Sequence, residues 1–132
     1  MTSEQGSGEA SRKKILVVDD EEDVRLFLAE FISELDFLVD TAGNGDAAFE
    51  KAQKTQYDIV LLDVMMPGMD GITCLEKIKK LSPQTVVIMI TALTDDHSMS
   101  AAKKRGATQY IMKPFSLNYL ETELRNLLRN PD

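Results

Sequence analysis

Cysteine is nearly absent from this chain of 132 residues, which contains a single example, Cys74. One thiol cannot form an internal disulfide, and it cannot assemble a cysteine-based zinc site within one chain. Because free cysteine is usually buried, we expect Cys74 to pack inside a helix. Tryptophan is missing and histidine occurs once, at His97. We expect His97 to be an exposed residue in the first turn of a helix rather than a metal ligand.

Long apolar runs and an excess of basic residues are also lacking. No apolar segment approaches the roughly 20 residues that cross a bilayer, and the polar N-terminus lacks the apolar core of a signal peptide. We therefore expect a cytoplasmic protein with no membrane insertion. Acidic residues outnumber basic ones by 22 to 15, which gives a net charge of −7. Because phosphate contacts need a basic surface, this charge argues against nucleic-acid binding by the chain alone.

The order of apolar runs predicts one α/β domain behind a polar tail. Residues 1–12 are rich in Ser, Gly and Glu and are expected to be disordered. Residues 13–130 contain five apolar runs of strand length that alternate with five segments of helical period, without an internal repeat. That alternation predicts a parallel sheet with helices on both faces.

The helical segments carry start and end signals. The first helix should bury residues spaced three or four apart, namely Val24, Phe27, Leu28, Phe31, Ile32 and Leu35. Short polar side chains should cap the four later helices, namely Asn44, Asp70, Thr94 and Ser116. Gly106 is expected directly after the fourth helix, where glycine is favoured.

Polar side chains follow four of the predicted strands. They are Asp19 and Asp20 after the first strand, Asp63 after the third, Thr91 after the fourth and Lys113 after the fifth. In an open parallel sheet the carboxyl ends of the strands share one edge, and ligands bind in the crevice there. Three carboxylates, a hydroxyl and an amine should therefore converge, which indicates a site for a divalent cation and a phosphoryl group.

The donor types favour Mg²⁺ over zinc. Mg²⁺ prefers oxygen ligands and is usually held by one or two carboxylates together with phosphate oxygens. Without a cation the clustered carboxylates would repel one another. Lys113 can compensate them if a cis bond to Pro114 turns its side chain back over the sheet edge. Plainer explanations stay open at this point: Asp19 and Asp20 as helix-capping residues, Lys113 as a solvated lysine, and Thr91 as an ordinary strand residue.

Taken together, these residues resemble a known family. The pair Asp19-Asp20, the segment 62–71, the pair Thr91-Ala92 and the run 113–115 are similar, in order and spacing, to the receiver domain of bacterial response regulators, including the chemotaxis regulators. The resemblance covers roughly residues 13–129. It implies a flavodoxin-like, doubly wound sheet of five parallel strands in the order 2-1-3-4-5.

The resemblance also implies a function. A receiver domain of a two-component system is a signalling switch rather than an enzyme acting on other molecules. Asp63 would accept a phosphoryl group from a sensor histidine kinase, from a phosphotransfer protein of a phosphorelay, or from a small donor. The modified domain would then act on a downstream effector domain or protein.

The remaining site residues follow from the same resemblance. Mg²⁺ or Mn²⁺ would be bound by Asp19, Asp20, Asp63 and the main-chain carbonyl of Met65. Thr91 and Lys113 would contact the acyl phosphate, and Tyr110 would be an aromatic switch residue that turns inward when Thr91 moves. From the residues alone, Tyr110 could equally be an ordinary strand aromatic.

Other classes fit less well. A dinucleotide-binding domain needs a glycine-rich turn after the first strand, and this chain has acidic residues there. A metal-dependent phosphohydrolase with an aspartate nucleophile usually has a second acid two residues later, where this chain has Met65. The alternative that stays open is a scaffold with the receiver fold that binds a partner protein without being phosphorylated. The sequence also leaves open whether the chain is a stand-alone regulator or part of a longer protein.

Overall fold

The computed structural model describes residues 12–66, 68–92 and 95–129. Within these ranges five strands alternate with five helices. The strands are β1 (Lys14–Val18), β2 (Leu38–Ala42), β3 (Ile59–Leu62), β4 (Val86–Thr91) and β5 (Gln109–Met112). The helices are α1 (Glu22–Glu34), α2 (Gly45–Lys54), α3 (Gly71–Leu81), α4 (Asp96–Lys104) and α5 (Leu117–Arg129). Of the predicted tail, only Arg12 lies within the described residues.

All five strands belong to one parallel sheet in the order β2-β1-β3-β4-β5, which confirms the expected topology. Alternate strand residues point to opposite faces. Leu16 and Val18 pack in a core with residues of α2, α3 and α4, whereas Ile15 and Val17 pack in a second core with residues of α1 and α5. The central strand β3 is buried on both faces, as continuous apolar runs in parallel sheets usually are.

The capping predictions are mostly confirmed. Three of the predicted side chains accept a hydrogen bond from the main-chain nitrogen three residues later, namely Asn44, Asp70 and Ser116. For α4 the structure has a different capping residue from the predicted one. Thr94 lies outside the described residues, and the N-cap of α4 is Asp95, whose carboxylate accepts from the Ser98 nitrogen at 2.9 Å. Gly106 follows the end of α4 with φ +106, a conformation that suits glycine.

The packing of α3 and α1 agrees only in part with the sequence-based predictions. Cys74 is fully buried in α3, as predicted, and burial raises the pKa of its thiol to about 12. The apolar stripe of α1 is narrower than predicted: Leu28 and Ile32 are buried, whereas Phe27 is 56% exposed. Successive residues in a helix are rotated by about 100°, so Phe27 points more than a quarter turn away from the buried Leu28. No helix in the described part of the chain is long and apolar enough to cross a membrane.

A network of hydroxyl, amide and phenol hydrogen bonds lies at the amino ends of β3 and β4. The Thr85 hydroxyl donates to the Tyr57 carbonyl at 2.8 Å and lies 2.7 Å from the Ser82 hydroxyl. Gln56 donates to both hydroxyls, and the Tyr57 phenol donates to Asp40 at 2.6 Å. Burial and the bond to Asp40 both raise the pKa of the Tyr57 phenol. This end of the sheet is therefore closed by groups that satisfy one another.

Candidate functional site

Main-chain pairing brings the polar residues to the carboxyl edge of the sheet. Val18 is paired with both Ala42 and Leu62, so Asp19 and Asp63 leave the sheet side by side. Hydrogen bonds continue past the strand ends: the Asp63 nitrogen donates to the Val18 carbonyl at 3.2 Å, and the Lys113 nitrogen donates to the Thr91 carbonyl at 2.9 Å. The register of the strands thus fixes where each functional side chain begins.

Three carboxylates meet at this edge. Asp19, Asp20 and Asp63 each offer an oxygen within 4.8 Å of the others. Asp19 is 3% exposed and Asp63 is 7% exposed, whereas Asp20 is open to solvent. The sequence predicted the convergence but not this division, because whether an acid is covered depends on the loops and helices packed around it.

Lys113 supplies the predicted cation. Its Nζ lies 3.0 Å from Asp19 Oδ2 and 3.2 Å from Asp63 Oδ2, and the Lys113-Pro114 bond is cis. Burial lowers the pKa of Lys113, but the hydrogen bond to Asp19 and the charge of Asp63 outweigh that effect and raise the pKa. The ammonium form is thereby stabilised between two largely buried carboxylates.

The other oxygen of each buried carboxylate is held by the main chain. Asp19 Oδ1 accepts from the Glu21 nitrogen at 2.9 Å, and Asp63 Oδ1 accepts from the Met65 nitrogen at 3.1 Å. Each side chain therefore has one oxygen fixed by its own loop and one facing Lys113. This arrangement keeps both carboxylates aimed at the common centre.

Three further predicted site residues, Thr91, Tyr110 and Met65, differ in how far they are buried. Thr91 is fully buried at the end of β4. Tyr110 is partly buried on β5, where burial first, and then the charges of Asp95 and Asp63, raise the pKa of its phenol. Met65, whose carbonyl is a predicted metal ligand, has a side chain that is 57% exposed. The predicted site residues thus lie at the same edge of the sheet, except Tyr110, which lies two residues before the end of β5.

Gly71 is a site residue that the sequence analysis treated only as part of a motif. Its nitrogen donates to the Val64 carbonyl at 2.8 Å. A Cβ on Gly71 would lie 2.0 Å from the Asp63 carbonyl oxygen, which is a severe clash. Only glycine lets the start of α3 approach the backbone of Asp63 this closely. The available signal was its place directly after the capping residue Asp70, in the loop that follows Asp63.

A groove of about 690 Å³ opens beside the acidic cluster, between α3 and α4. Asp20 and Met65 line one part of it, and His97 and Arg105 line another. His97 is exposed in the first turn of α4, as predicted. The acidic cluster can therefore be reached from solvent on the side where Asp20 is exposed.

The donor set fits Mg²⁺. The three groups are carboxylates whose oxygens lie within 4.8 Å of one another, and no histidine or cysteine belongs to the cluster. Such all-oxygen sets suit Mg²⁺, with waters and phosphate oxygens completing the coordination. Among the residues that the structure describes, Lys113 is the one cation paired with these acids, so the described cluster keeps a net negative charge that a divalent cation would offset.

Comparisons with known sequences agree on one protein family. The model of the response regulator receiver domain matches residues 15–125. The transcriptional regulatory protein ResD of Bacillus subtilis is 37% identical over 121 residues, which are 92% of this chain and 50% of that protein. The chain spans about half the length of the curated relatives that it matches.

Solved structures give the same result. A response regulator receiver domain protein (CheY-like) from Methanospirillum hungatei has a TM-score of 0.89 at 27% identity, covering 91% of this chain and 96% of that one. The response regulator TrrA of Thermotoga maritima, solved in complex with Mg²⁺-BeF, has a TM-score of 0.79 at 35% identity, covering 87% and 98%. Fold, site and sequence therefore agree: the chain belongs to the family of response regulator receiver domains, the phosphorylation-dependent switches of two-component signalling.

Proposed function

We propose that this receiver domain, with boundaries at residues 13 and 130, accepts a phosphoryl group on Asp63 and catalyses that modification itself. The observation that carries the proposal is the position of the Lys113 ammonium between Asp19 and Asp63, at 3.0 Å and 3.2 Å. The amine can contact a phosphoryl oxygen, and the carboxylates can hold a cation that offsets the charge of the phosphoryl group. Phosphoryl transfer depends mainly on positioning and on neutralising charge, and this cluster can supply both.

The step itself is a displacement at phosphorus. A carboxylate oxygen of Asp63 forms the new O–P bond while the N–P bond of a phosphohistidine breaks, and the leaving imidazole takes up a proton. Lys113 then contacts a phosphoryl oxygen, and the Thr91 hydroxyl donates to another. Mg²⁺ or Mn²⁺, held by Asp19, Asp20, Asp63 and the Met65 carbonyl, would neutralise charge on the transferring group.

The response to phosphorylation is proposed to pass through Thr91 and Tyr110. An acyl phosphate adds charge and acceptor oxygens at Asp63. Thr91 is buried at the end of β4, and Tyr110 lies on the neighbouring strand β5. A movement of Thr91 toward the phosphoryl group would change the space available to the Tyr110 ring. Phosphorylation shifts this equilibrium only by its different interaction with the two states.

The phosphodonor is proposed to be a sensor histidine kinase or a phosphotransfer protein that binds beside α1. Leu26 and Phe27 are 52% and 56% exposed on this helix, which begins two residues after Asp20. Exposed apolar side chains next to a reactive site are typical of a protein contact. The modified domain would act on an effector domain or protein, without direct binding of nucleic acid or membrane by this chain.

The test is to treat the wild-type chain and Asp63→Asn with a small acyl phosphate, with and without Mg²⁺, and to measure intact mass. We expect the mass of one phosphoryl group on the wild type only when Mg²⁺ is present, and none on the variant. Labelling of Asp63→Asn at the wild-type rate would place the reaction elsewhere. A wild type that is not labelled under any condition would favour the scaffold that binds a partner without modification.

A further inference from the structure

Arg25 contacts the main chain at the metal-binding edge. It lies on α1, and its Nη1 donates a hydrogen bond to the Asp19 carbonyl oxygen at 2.9 Å. That oxygen belongs to the peptide unit that joins Asp19 to Asp20. Within the described ranges Arg25 forms no ion pair. Its guanidinium therefore fixes a peptide plane instead of neutralising a carboxylate.

Asp20 is the member of the cluster that most needs such support. The Asp19 and Asp63 side chains are each held by a main-chain nitrogen and by Lys113. The Asp20 carboxylate forms no hydrogen bond to any residue that the structure describes, and it is exposed. The direction in which Asp20 points is thus set by its backbone, and the preceding peptide is the one that Arg25 holds.

Gly43, the residue after β2, provides room for the guanidinium. A Cβ on Gly43 would lie 3.1 Å from Arg25 Nη1 and 3.6 Å from Arg25 Cζ. A Cβ at this position would push the guanidinium by a few tenths of an ångström, and we expect a branched side chain to move it further from the Asp19 carbonyl. The residue before it, Ala42, accepts a hydrogen bond from the Asp19 nitrogen at 3.2 Å. The end of β2 therefore supports Asp19 directly and allows Arg25 to support the next peptide.

We propose that Arg25 is a positioning residue that orients Asp20 for divalent-cation binding. The missing side chain at Gly43 leaves the room that the Arg25 guanidinium needs to reach the main chain. This inference rests on the proposed Mg²⁺ site. Arg25 acts through the peptide between Asp19 and Asp20 and touches neither the ion nor the phosphoryl group. Loss of an outer partner of this kind typically lowers metal affinity by about 10- to 100-fold.

The test is a Mg²⁺ titration followed by backbone amide NMR shifts. We expect Arg25→Ala to raise the half-saturating Mg²⁺ concentration by about tenfold, and Arg25→Lys to lie between it and wild type because an ammonium can donate to the same oxygen. The Asp20 amide of metal-free Arg25→Ala should already be shifted. At saturating Mg²⁺ the rate of phosphorylation by an acyl phosphate should return close to wild type, because Asp63 and Lys113 are unchanged.

Gly43→Val tests the same bond without removing Arg25, and it serves if Arg25→Ala does not fold. We expect it to reproduce the Mg²⁺ defect and to add nothing in the Arg25→Ala background. Arg125→Ala, which removes an arginine from an exposed ion pair on α5, is the matched control. Half-saturation within about twofold of wild type in Arg25→Ala or in Gly43→Val, or additive effects in the double variant, would overturn the inference. A wild type that binds no Mg²⁺ would instead overturn the proposed function.

Discussion

The two ends of the sheet bury polar groups in different ways. At the amino end, the hydroxyls of Ser82 and Thr85 bond to each other and to neighbouring amide and carbonyl groups. At the carboxyl end, Asp19 and Asp63 share one ammonium, with Asp20 beside them. No buried side-chain nitrogen or oxygen in the described ranges lacks a hydrogen-bond partner. Both ends are thus satisfied in hydrogen bonds, but at the carboxyl end three carboxylates are clustered around one ammonium.

The amino end of the sheet thus contributes mainly to stability, whereas the carboxyl end is suited to binding ligands. Neutral groups that satisfy one another rigidify a structure and have nothing to gain from an added ligand. Clustered carboxylates repel, and they gain from any cation that enters. The carboxyl end therefore gives up some stability in the metal-free state in exchange for a response to metal and phosphoryl groups.

The largest expected effect follows from removing charge at the carboxyl end. Asp20→Ala should abolish Mg²⁺ binding while preserving or raising thermal stability, because it removes one of three mutually repelling carboxylates from an exposed position. Mg²⁺ titration by NMR and thermal unfolding without metal measure the two effects. Asp23→Ala, an equal charge change on the exposed first turn of α1, is the control. Unchanged Mg²⁺ affinity in Asp20→Ala would rule out its role as a ligand.

Removing the Lys113 ammonium tests the role of the positive charge at the carboxyl end. Lys113→Ala should uncouple phosphorylation from the conformational response more than it weakens Mg²⁺ binding, because its ammonium bonds to Asp19 and Asp63. Amide shifts on phosphorylation report the response, and Lys104→Ala, an exposed lysine on α4, provides the comparison. The idea fails if phosphorylated Lys113→Ala shows the same amide shifts as the phosphorylated wild type.

A smaller change is expected when only the Thr91 hydroxyl is removed. Thr91→Ala should still be phosphorylated at Asp63, but the ring resonances of Tyr110 should shift less than in wild type, because the donor that moves toward the phosphoryl group is gone. Thr91→Ser, which keeps the hydroxyl, should restore most of the response. A full Tyr110 response in Thr91→Ala would show that the signal leaves the site by another route.

The smallest effect on the site is expected from the amino end. Thr85→Val keeps the shape but deprives the Tyr57 carbonyl and the Ser82 hydroxyl of a partner. We expect a loss of about 1 to 3 kcal/mol in the free energy of unfolding, measured by urea denaturation, with no change in the half-saturating Mg²⁺ concentration. A weaker Mg²⁺ affinity in this variant would show that the two ends are coupled.

Features of the fold that are encoded within a few neighbouring residues are the ones that the sequence predicts correctly. Strand ends, and the capping residues Asn44, Asp70 and Ser116, were predicted because each is encoded within a few residues. The strand order came from the family resemblance. Asp95 was missed as the cap of α4 because the neighbouring Thr94 carries an equally suitable side chain. Phe27 was assigned to the core because spacing alone does not give the width of the buried stripe.

The features that escaped prediction depend on contacts between distant segments. The approach of Gly71 to the Asp63 backbone and the space that Gly43 leaves for Arg25 exist only after the loops have packed. The hydrogen-bond network around Thr85 likewise joins segments 28 residues apart, at Tyr57 and Thr85. The sequence could name the reactive residues, but it could not show which neighbours hold them in place.

The bond between Lys113 and Asp19 joins residues 94 positions apart, close to the two limits of the described chain. During synthesis β1 and β3 emerge and can pair long before β5 has been made. Until β5 joins the sheet, the carboxylates at the edge have no amine between them. Contacts so distant in sequence form late, because the chain entropy lost in closing long loops must be repaid first. The Lys113 ammonium therefore takes its place between the two carboxylates only when β5 has joined the sheet, so the site is complete only in the folded domain.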